Sequence, residues 1–252
     1  MQQRTFWALV IRQLHIAQGR NQSFLPFFGI LQGVINPLIV MTVFRTLNTD
    51  FTIYSPKVFL HLLVGVVMCR IFMRTAMDCL NLKKPTDIAV NANGGTPFLM
   101  FLAAGIVNFY LFMVFFIILC SLYHYFWYPI VIADWRNILY GALLLMFLGL
   151  GVGMVLNAVI GHYPFLGAPF RLVLGMLFLV SGVIFDPANA AAKFRVILEW
   201  NPVTIGMQIV RTGFGMATNS SFLNVGYMMA VVVAALSCGL FLGRRIWRPD
   251  SV

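Results

Sequence analysis

The chain has 252 residues, of which 61% are hydrophobic and only 10% are charged, and its mean hydropathy is +0.90. A soluble domain of this length cannot bury so large an apolar fraction, so the composition predicts a membrane protein. The formal net charge of +10 is interpreted as a signal of membrane topology. Nucleic-acid binding is not expected, because it would need a soluble basic face.

Residues 1–20 predict an amphipathic helix at the cytoplasmic membrane surface. Apolar residues recur there at helical spacing, with polar residues on the other side. Arginines interrupt any apolar core of a signal peptide, so the segment is expected to stay on the protein. It is either a simple anchor or also a contact for a cytoplasmic partner.

Six apolar runs predict transmembrane helices, because about 20 helical residues cross a hydrocarbon core of about 30 Å. The fifth run is interrupted by Pro169 and Arg171, and its uninterrupted part, 172–185, covers only about 21 Å. Five spans plus a half-helix are therefore the alternative. The fold class is all-α integral membrane, a single transmembrane domain over 1–252. The predicted spans are 24–44, 58–77, 97–122, 138–160, 165–185 and 222–242.

The distribution of Lys and Arg predicts the orientation of the spans. With a cytoplasmic N-terminus, the inner segments hold 11 of the 17 Lys and Arg residues, and the outer segments hold 6. Cytoplasmic segments carry the excess of positive charge in membrane proteins, so both termini are predicted to be cytoplasmic. Within the fourth predicted span, Gly149 and Gly153 supply small residues for close helix contact.

The acidic residues argue against coupling to an ion gradient. All of them lie between or at the ends of the apolar runs, whereas a gradient-driven carrier usually needs a carboxylate at mid-membrane. They are Asp50, Asp78, Asp87, Asp134, Asp186, Glu199 and Asp250.

No enzymatic, metal or cofactor motif is found in the sequence. The four cysteines and four histidines lack metal-ligand spacing. A phosphate-binding loop needs lysine directly after glycine, and none of Lys57, Lys83, Lys84 and Lys193 follows one. The chain is therefore predicted not to be an enzyme, and any ATP and Mg²⁺ would be bound by a partner subunit.

Residues 78–96 form the predicted inner segment between the second and third spans. Thr86 or Asp87 can cap a short helix there, and Asn93 or Gly94 can end it. Such a helix could transmit a push from a partner, whereas the simpler interpretation is a solvated turn. The coupling residues named for this segment are Lys83, Lys84, Pro85, Thr86, Asp87 and Asn93.

Two groups of residues are candidates for a substrate pathway. Arg70 and Arg74 are four residues apart and share a helix face near the inner end of the second span, where they either snorkel to headgroups or attract an anionic substrate. Tyr123, Tyr125 and Trp127 follow the third span, and they form either an interfacial aromatic belt or a surface on which sugar rings stack.

Residues 186–214 predict two short helices before the last span. Asn201 is placed to cap the second helix, and Pro202 occupies its first position. Neither helix is long enough to cross, so a re-entrant hairpin that closes the outer end of a pathway is expected. The outer gate residues are Glu199, Trp200, Asn201, Pro202 and Arg211.

This layout resembles the membrane subunits of type-2 ABC exporters, and among them the permeases that export capsular polysaccharide and O-antigen. Residues 198–202 read Leu-Glu-Trp-Asn-Pro and residues 208–211 read Gln-Ile-Val-Arg, which is similar to the Trp-Asn-Pro segment and following arginine of capsule-export permeases. The start of the first span, 24–37, lacks the tryptophan and glutamate that are common in that family.

The resemblance implies a homodimer in the bacterial inner membrane that works with cytoplasmic ATPase subunits. It implies export of a lipid-linked, acidic polysaccharide, with periplasmic and outer-membrane export proteins as further partners. Residues 83–96 would dock on the ATPase, and residues 188–214 would form the outer gate. An exporter of another substrate, such as a drug, a lipid or O-antigen, and a gradient-driven carrier are the alternatives.

Overall fold

The structure is a computed structural model that describes residues 39, 56–81, 97–126, 129–183, 187, 191–216 and 223–246. These residues form seven α-helices and one short 3-10 helix, Pro164–Leu166, and they contain no strand. The predicted all-α class is confirmed for this part of the chain. The α-helices are α1 (Pro56–Asn81), α2 (Pro97–Phe126), α3 (Trp135–His162), α4 (Gly167–Val180), α5 (Ala192–Glu199), α6 (Pro202–Gly213) and α7 (Val225–Ile246).

Four of these helices, α1, α2, α3 and α7, are long and apolar enough to cross a membrane. They correspond to the second, third, fourth and sixth predicted spans, and they make this a membrane-embedded protein. The fifth predicted span is occupied by α4, which has only 14 residues. The first predicted span, except Ile39, and the predicted surface helix 1–20 lie outside the described residues.

Helix α1 continues past the predicted end of its span at residue 77. The last carbonyls of a helix have no partner within the helix, and those of Cys79 and Leu80 accept hydrogen bonds from Asn157 Nδ2 at 3.0 and 3.1 Å. Asn81 Nδ2 donates to the carbonyl of Met77 at 2.7 Å. These amide side chains donate to carbonyl groups near the end of the helix, and α1 extends to Asn81.

Helix α3 lies at the centre of the bundle, because its glycines allow two other helices to approach its backbone closely. A Cβ at Gly149 would lie 2.5 Å from the carbonyl oxygen of Phe72, so α1 approaches at backbone contact. On another side, a Cβ at Gly151 would lie 2.8 Å from the backbone nitrogen of Leu236 in α7. The close contact predicted for Gly149 therefore forms within one chain, between α3 and α1.

Helices α1 and α2 run in opposite directions. The rings of Phe59 and Tyr123 stack with centroids 4.9 Å apart at one end of the pair, and Asn108 of α2 donates to Asp78 of α1 at 3.0 Å towards the other. Following the predicted orientation, we call the Phe59 end of the bundle the outer end and the Asp78 end the inner end.

Candidate functional site

Helix α6 lies against the outer part of α3 and runs antiparallel to it. Near the start of α6, a Cβ at Gly206 would lie 2.7 Å from the side chain of Leu145. At its end, a Cβ at Gly213 would lie 2.7 Å from the carbonyl oxygen of Asp134. Helix α6 therefore covers α3 from Asp134 to Leu145, a length of about 16 Å at 1.5 Å per residue.

The first turn of α6 has the cap that the sequence predicts. Asn201 has extended backbone angles, and its side-chain oxygen accepts from the amide of Val203 at 3.0 Å. Pro202 occupies the first helical position, where its missing N–H has no effect on the helix ladder. Both predictions are confirmed, and they explain why a new helix begins at Pro202.

Arg211 is the centre of the outer site, and its side chain is 1% exposed. Its Nη2 donates to the carbonyl of His61 in α1 and to the carbonyl of Gly182 after α4, both at 3.2 Å. Gly65 leaves the space for the guanidinium, because a Cβ there would lie 2.9 Å from Nη2. A buried cation is costly unless hydrogen bonded, so Arg211 ties α6 to two other segments.

The residues after α4 complete this outer site. Thr204 donates from its hydroxyl to the carbonyl of Ser181 at 3.1 Å, and Asn201 Nδ2 contacts Ser181 Oγ at 3.4 Å. Gly182 has a φ of 69°, in the left-handed region that favours glycine. The half-length helix α4 therefore ends where it meets α6, inside the bundle.

Sequence reasoning missed Ser181, Gly182, Thr204 and His61 as parts of the outer site. Gly182 follows an apolar run, which is a recognised helix-stop signal, but it fell within the predicted fifth span. His61 contributes a backbone carbonyl to Arg211, and the identity of a side chain does not predict such a contact.

The junction of α5 and α6 is held to α7. The carbonyl of Trp200 accepts from the Tyr227 hydroxyl at 2.9 Å, and the two rings meet edge to face with centroids 5.4 Å apart. The Trp200 side chain is 66% exposed. Glu199 forms an ion pair with Arg195 at 3.1 Å, one turn earlier in α5. Glu199 thus supports α5 and is not bonded to Arg211.

The inner end carries a second polar network, centred on Asp78. Its Oδ2 accepts from Arg74 Nε at 3.2 Å and from Asn108 Nδ2 at 3.0 Å. Asp78 was predicted to lie at the start of the loop segment 78–96. The structure corrects this, because Asp78 lies within α1, one turn before the helix ends.

Arg70 and Arg74 share a face of α1, as predicted, but their surroundings differ. The Arg74 side chain is 50% exposed and is paired with Asp78. Arg70 is half-buried, and its guanidinium carbon lies 5.9 Å from the centroid of the Phe178 ring in α4. The guanidinium of Arg70 therefore lies beside another helix.

The aromatic pathway residues lie far from these arginines. Tyr123 is buried against Phe59, and Tyr125 is 82% exposed. Along α1, Arg70 lies about 16 Å and Arg74 about 22 Å from Phe59. Trp127 lies outside the described residues, as do the coupling residues Lys83, Lys84, Pro85, Thr86, Asp87 and Asn93.

No protein-family model matches the sequence, and no curated protein matches it. The resemblance to exporter permeases therefore rests on the layout of the helices and on residues 198–211. Among the residues that the structure describes, no group of three or more His, Cys, Asp or Glu side chains could hold a metal ion.

Proposed function

We propose that this chain is the membrane subunit of an ATP-driven exporter that moves a lipid-linked, acidic capsular polysaccharide outward across the bacterial inner membrane. The observation that carries the proposal is the packing of α6. A short helix with an Asn-Pro start lies antiparallel against the outer part of α3 and is anchored by the buried Arg211. In this proposal residues 186–214 form a re-entrant segment at the outer end, with α6 as its second helix, and the half-length α4 ends against α6.

The re-entrant segment acts in this proposal as the outer gate. Irregular backbone within a bilayer must be buried in protein or line a cavity, and the Ser181 and Gly182 carbonyls are satisfied by Thr204 and Arg211. Because α6 contacts α1, α3 and the end of α4, movement of any of them changes its position. ATP hydrolysis on a cytoplasmic partner would move the gate through these helices.

A homodimer supplies the conduit in this proposal. Helix α3 contacts α1, α6 and α7 at its glycines, and many of its apolar side chains are buried, including Leu145, Leu150 and Met154 at 0% exposure. A packed core has no room for a sugar polymer. The pathway would therefore lie between two copies, with the periplasmic and outer-membrane export proteins beyond it.

Asp78 favours a second candidate, a gradient-driven carrier. It is a partly buried carboxylate inside a candidate membrane span, Phe59–Asn81, which is the type of group that such carriers use. The negative charge of Asp78 is already compensated by the ion pair with Arg74. Asp78 is then less suited to bind a coupling ion, which favours the exporter. Asp78→Asn separates the two, because a carrier would lose its coupling whereas an exporter would retain ATP-dependent transport.

Deletion of the protein in its own bacterium tests the exporter proposal. Surface polysaccharide should disappear, lipid-linked polymer should build up inside, and the wild-type chain on a plasmid should restore both. The tagged chain should co-purify with a subunit that contains a GxxxxGK[ST] loop and hydrolyses ATP. If deletion leaves surface polysaccharide unchanged but such an ATPase subunit co-purifies, the protein exports another substrate. Transport that stops with an ionophore and needs no ATPase would assign the carrier.

A further inference from the structure

The loop between α2 and α3 is hydrogen bonded to the end of α6. We call residues 129–134 of this connection the outer loop. The amides of Ala133 and Asp134 both donate to the carbonyl of Gly213, at 2.9 and 3.0 Å. Gly213 also packs on the start of α3, where a Cβ would lie 3.1 Å from the backbone nitrogen of Ile138. Movement of the outer loop is therefore transmitted to the last turn of α6.

The outer loop exposes apolar side chains. Val131 and Ile132 are 75% and 58% exposed, and Trp135, at the start of α3, is also exposed. Residues 125–133 contain no charged side chain. Exposure of apolar surface to water is unfavourable, and a large apolar patch marks a contact with a membrane or with another protein. The outer loop is therefore expected to be covered by one of these.

The apolar surface of the outer loop continues along α2. Ile118, Leu122 and Tyr125 lie within an arc of about 60° around this helix, and all three are exposed. Helix α2 is one of the helices long enough and apolar enough to cross a membrane, and an exposed apolar face of such a span is suited to lipid chains. Because this face reaches the outer loop without a charged residue, lipid is the partner that fits the loop.

The backbone of the outer loop is also suited to the membrane surface, because most of its N–H groups are satisfied or missing. Pro129 has no N–H, and the amide of Ile130 donates to His124 Nδ1 at 2.9 Å. The last two amides of the loop donate to Gly213. Free backbone donors are costly to remove from water. These contacts therefore lower the cost of placing the loop among lipid headgroups.

We propose that the outer loop is a lipid contact that controls the position of α6. The side chains of Val131 and Ile132 insert into the leaflet at the outer end, and the loop backbone stays at the level of the headgroups, where water reaches its carbonyls. Insertion holds the loop in place, and the loop holds the carbonyl of Gly213. This inference requires only a membrane-embedded protein, so it does not depend on the proposed substrate.

Thiol reactivity tests the insertion. Val131→Cys and Arg136→Cys introduce thiols at two side chains that are 75% and 78% exposed, so both would be accessible if no lipid covered the loop. The purified full chain, at one copy per phosphatidylcholine nanodisc, is treated with a charged, membrane-impermeant maleimide, and mass spectrometry follows each labelled peptide. Each rate is divided by the rate of the same variant in denaturant.

The thiol of Val131→Cys should react at least about tenfold more slowly than that of Arg136→Cys, because the reactive thiolate forms poorly outside water. Equal rates would overturn the proposal. Protection that appears only with two copies in one nanodisc would assign the surface to a second copy of this chain, and it would also overturn the lipid contact.

Hydrogen exchange in the same nanodiscs tests the connection to α6. Val131→Asp places a charge on the inserted side chain and should withdraw the outer loop from the lipid. Exchange should become at least about fivefold faster in residues 130–136 and 207–214, since the hydrogen bonds to Gly213 weaken. The inner half of α3 should be unchanged. Val131→Leu keeps the side chain apolar and should match the wild-type chain.

Val131→Thr keeps the test decisive if the charged variant loses its fold. Threonine has nearly the shape of valine but carries a hydroxyl, so exchange at the end of α6 should be faster than in the wild-type chain and slower than in a folded Val131→Asp variant. Faster exchange in the outer loop with wild-type exchange in α6 would show that the loop does not control α6. Wild-type exchange in both segments of Val131→Asp and Val131→Thr would likewise overturn the proposal.

Discussion

The outer and inner ends of the bundle both contain arginine in a membrane-embedded protein, but the two environments differ in solvent access. Arg211 at the outer end is 1% exposed and donates to two backbone carbonyls. Arg74 at the inner end is 50% exposed and has one carboxylate partner. The same side chain therefore stabilises the fold in one place and remains available to a ligand in the other, and burial decides which.

The largest effect on stability is expected from Arg211→Ala. This change removes a buried cation and leaves the carbonyls of His61 and Gly182 without that donor, so the free energy of unfolding should fall by about 3 kcal/mol. Thermal unfolding of the purified chain in detergent measures it. Arg136→Ala is the control, because this side chain is 78% exposed and its loss should change stability by about 0.5 kcal/mol or less. Similar losses for both variants would show that burial does not decide how much an arginine stabilises this fold.

Gly65→Ala tests the space around the buried guanidinium. The new Cβ would lie 2.9 Å from Arg211 Nη2 and 3.2 Å from Val183 Cα, and overpacking of this kind costs about 2 kcal/mol. Gly175→Ala is the matched control, since a Cβ there meets nothing within 4 Å and should leave stability unchanged or improve it by up to about 1 kcal/mol. In an Arg211→Ala background, the loss from Gly65→Ala should shrink. An undiminished loss would mean that Val183 alone resists the substitution.

Asn201→Ala tests the cap of α6. The amide of Val203 loses its acceptor, so stability should fall by about 1 kcal/mol. Hydrogen exchange should become faster at the first turn of α6 and stay unchanged in α3. Asn201→Ser keeps a capping oxygen and should restore most of the protection. Exchange that is the same in all three proteins would show that packing, and not the cap, orders this turn.

The smallest effect on stability is expected from replacing Arg70 and Arg74 together with Gln. The ion pair to Asp78 is half-exposed, and such pairs contribute about 0.5 kcal/mol or less. In the proposed exporter, export should nevertheless fall while assembly with the ATPase subunit is retained, because an anionic substrate would lose its attraction to the inner end. Surface polysaccharide and co-purification measure the two results, and normal export in the double variant would contradict the role assigned to these arginines.

The sequence predicted the two ends with different success, for identifiable physical reasons. The cap at Asn201 and Pro202 could be predicted because a cap depends on neighbouring residues of the chain. Arg211 was predicted as a residue of the outer gate, but its burial was not predicted, because its partners come from residues about 30 and 150 positions away. Asp78 was placed at the edge of a loop, and Asn157 and Asn108, both distant in sequence, keep it inside α1.

The sequence by itself determined the membrane environment, the helical class and the short length of α6, because hydropathy and helix signals are properties of consecutive residues. It left the α4 region as either a span or a half-helix. Tertiary structure decided which charges are buried and which remain open. Gly65 makes room for Arg211, Gly182 accepts a hydrogen bond from it, and packing of α4 against α1 brings Arg171 to Asn81. The burial of a charged side chain depends on neighbouring helices, so it is settled only when the helices pack.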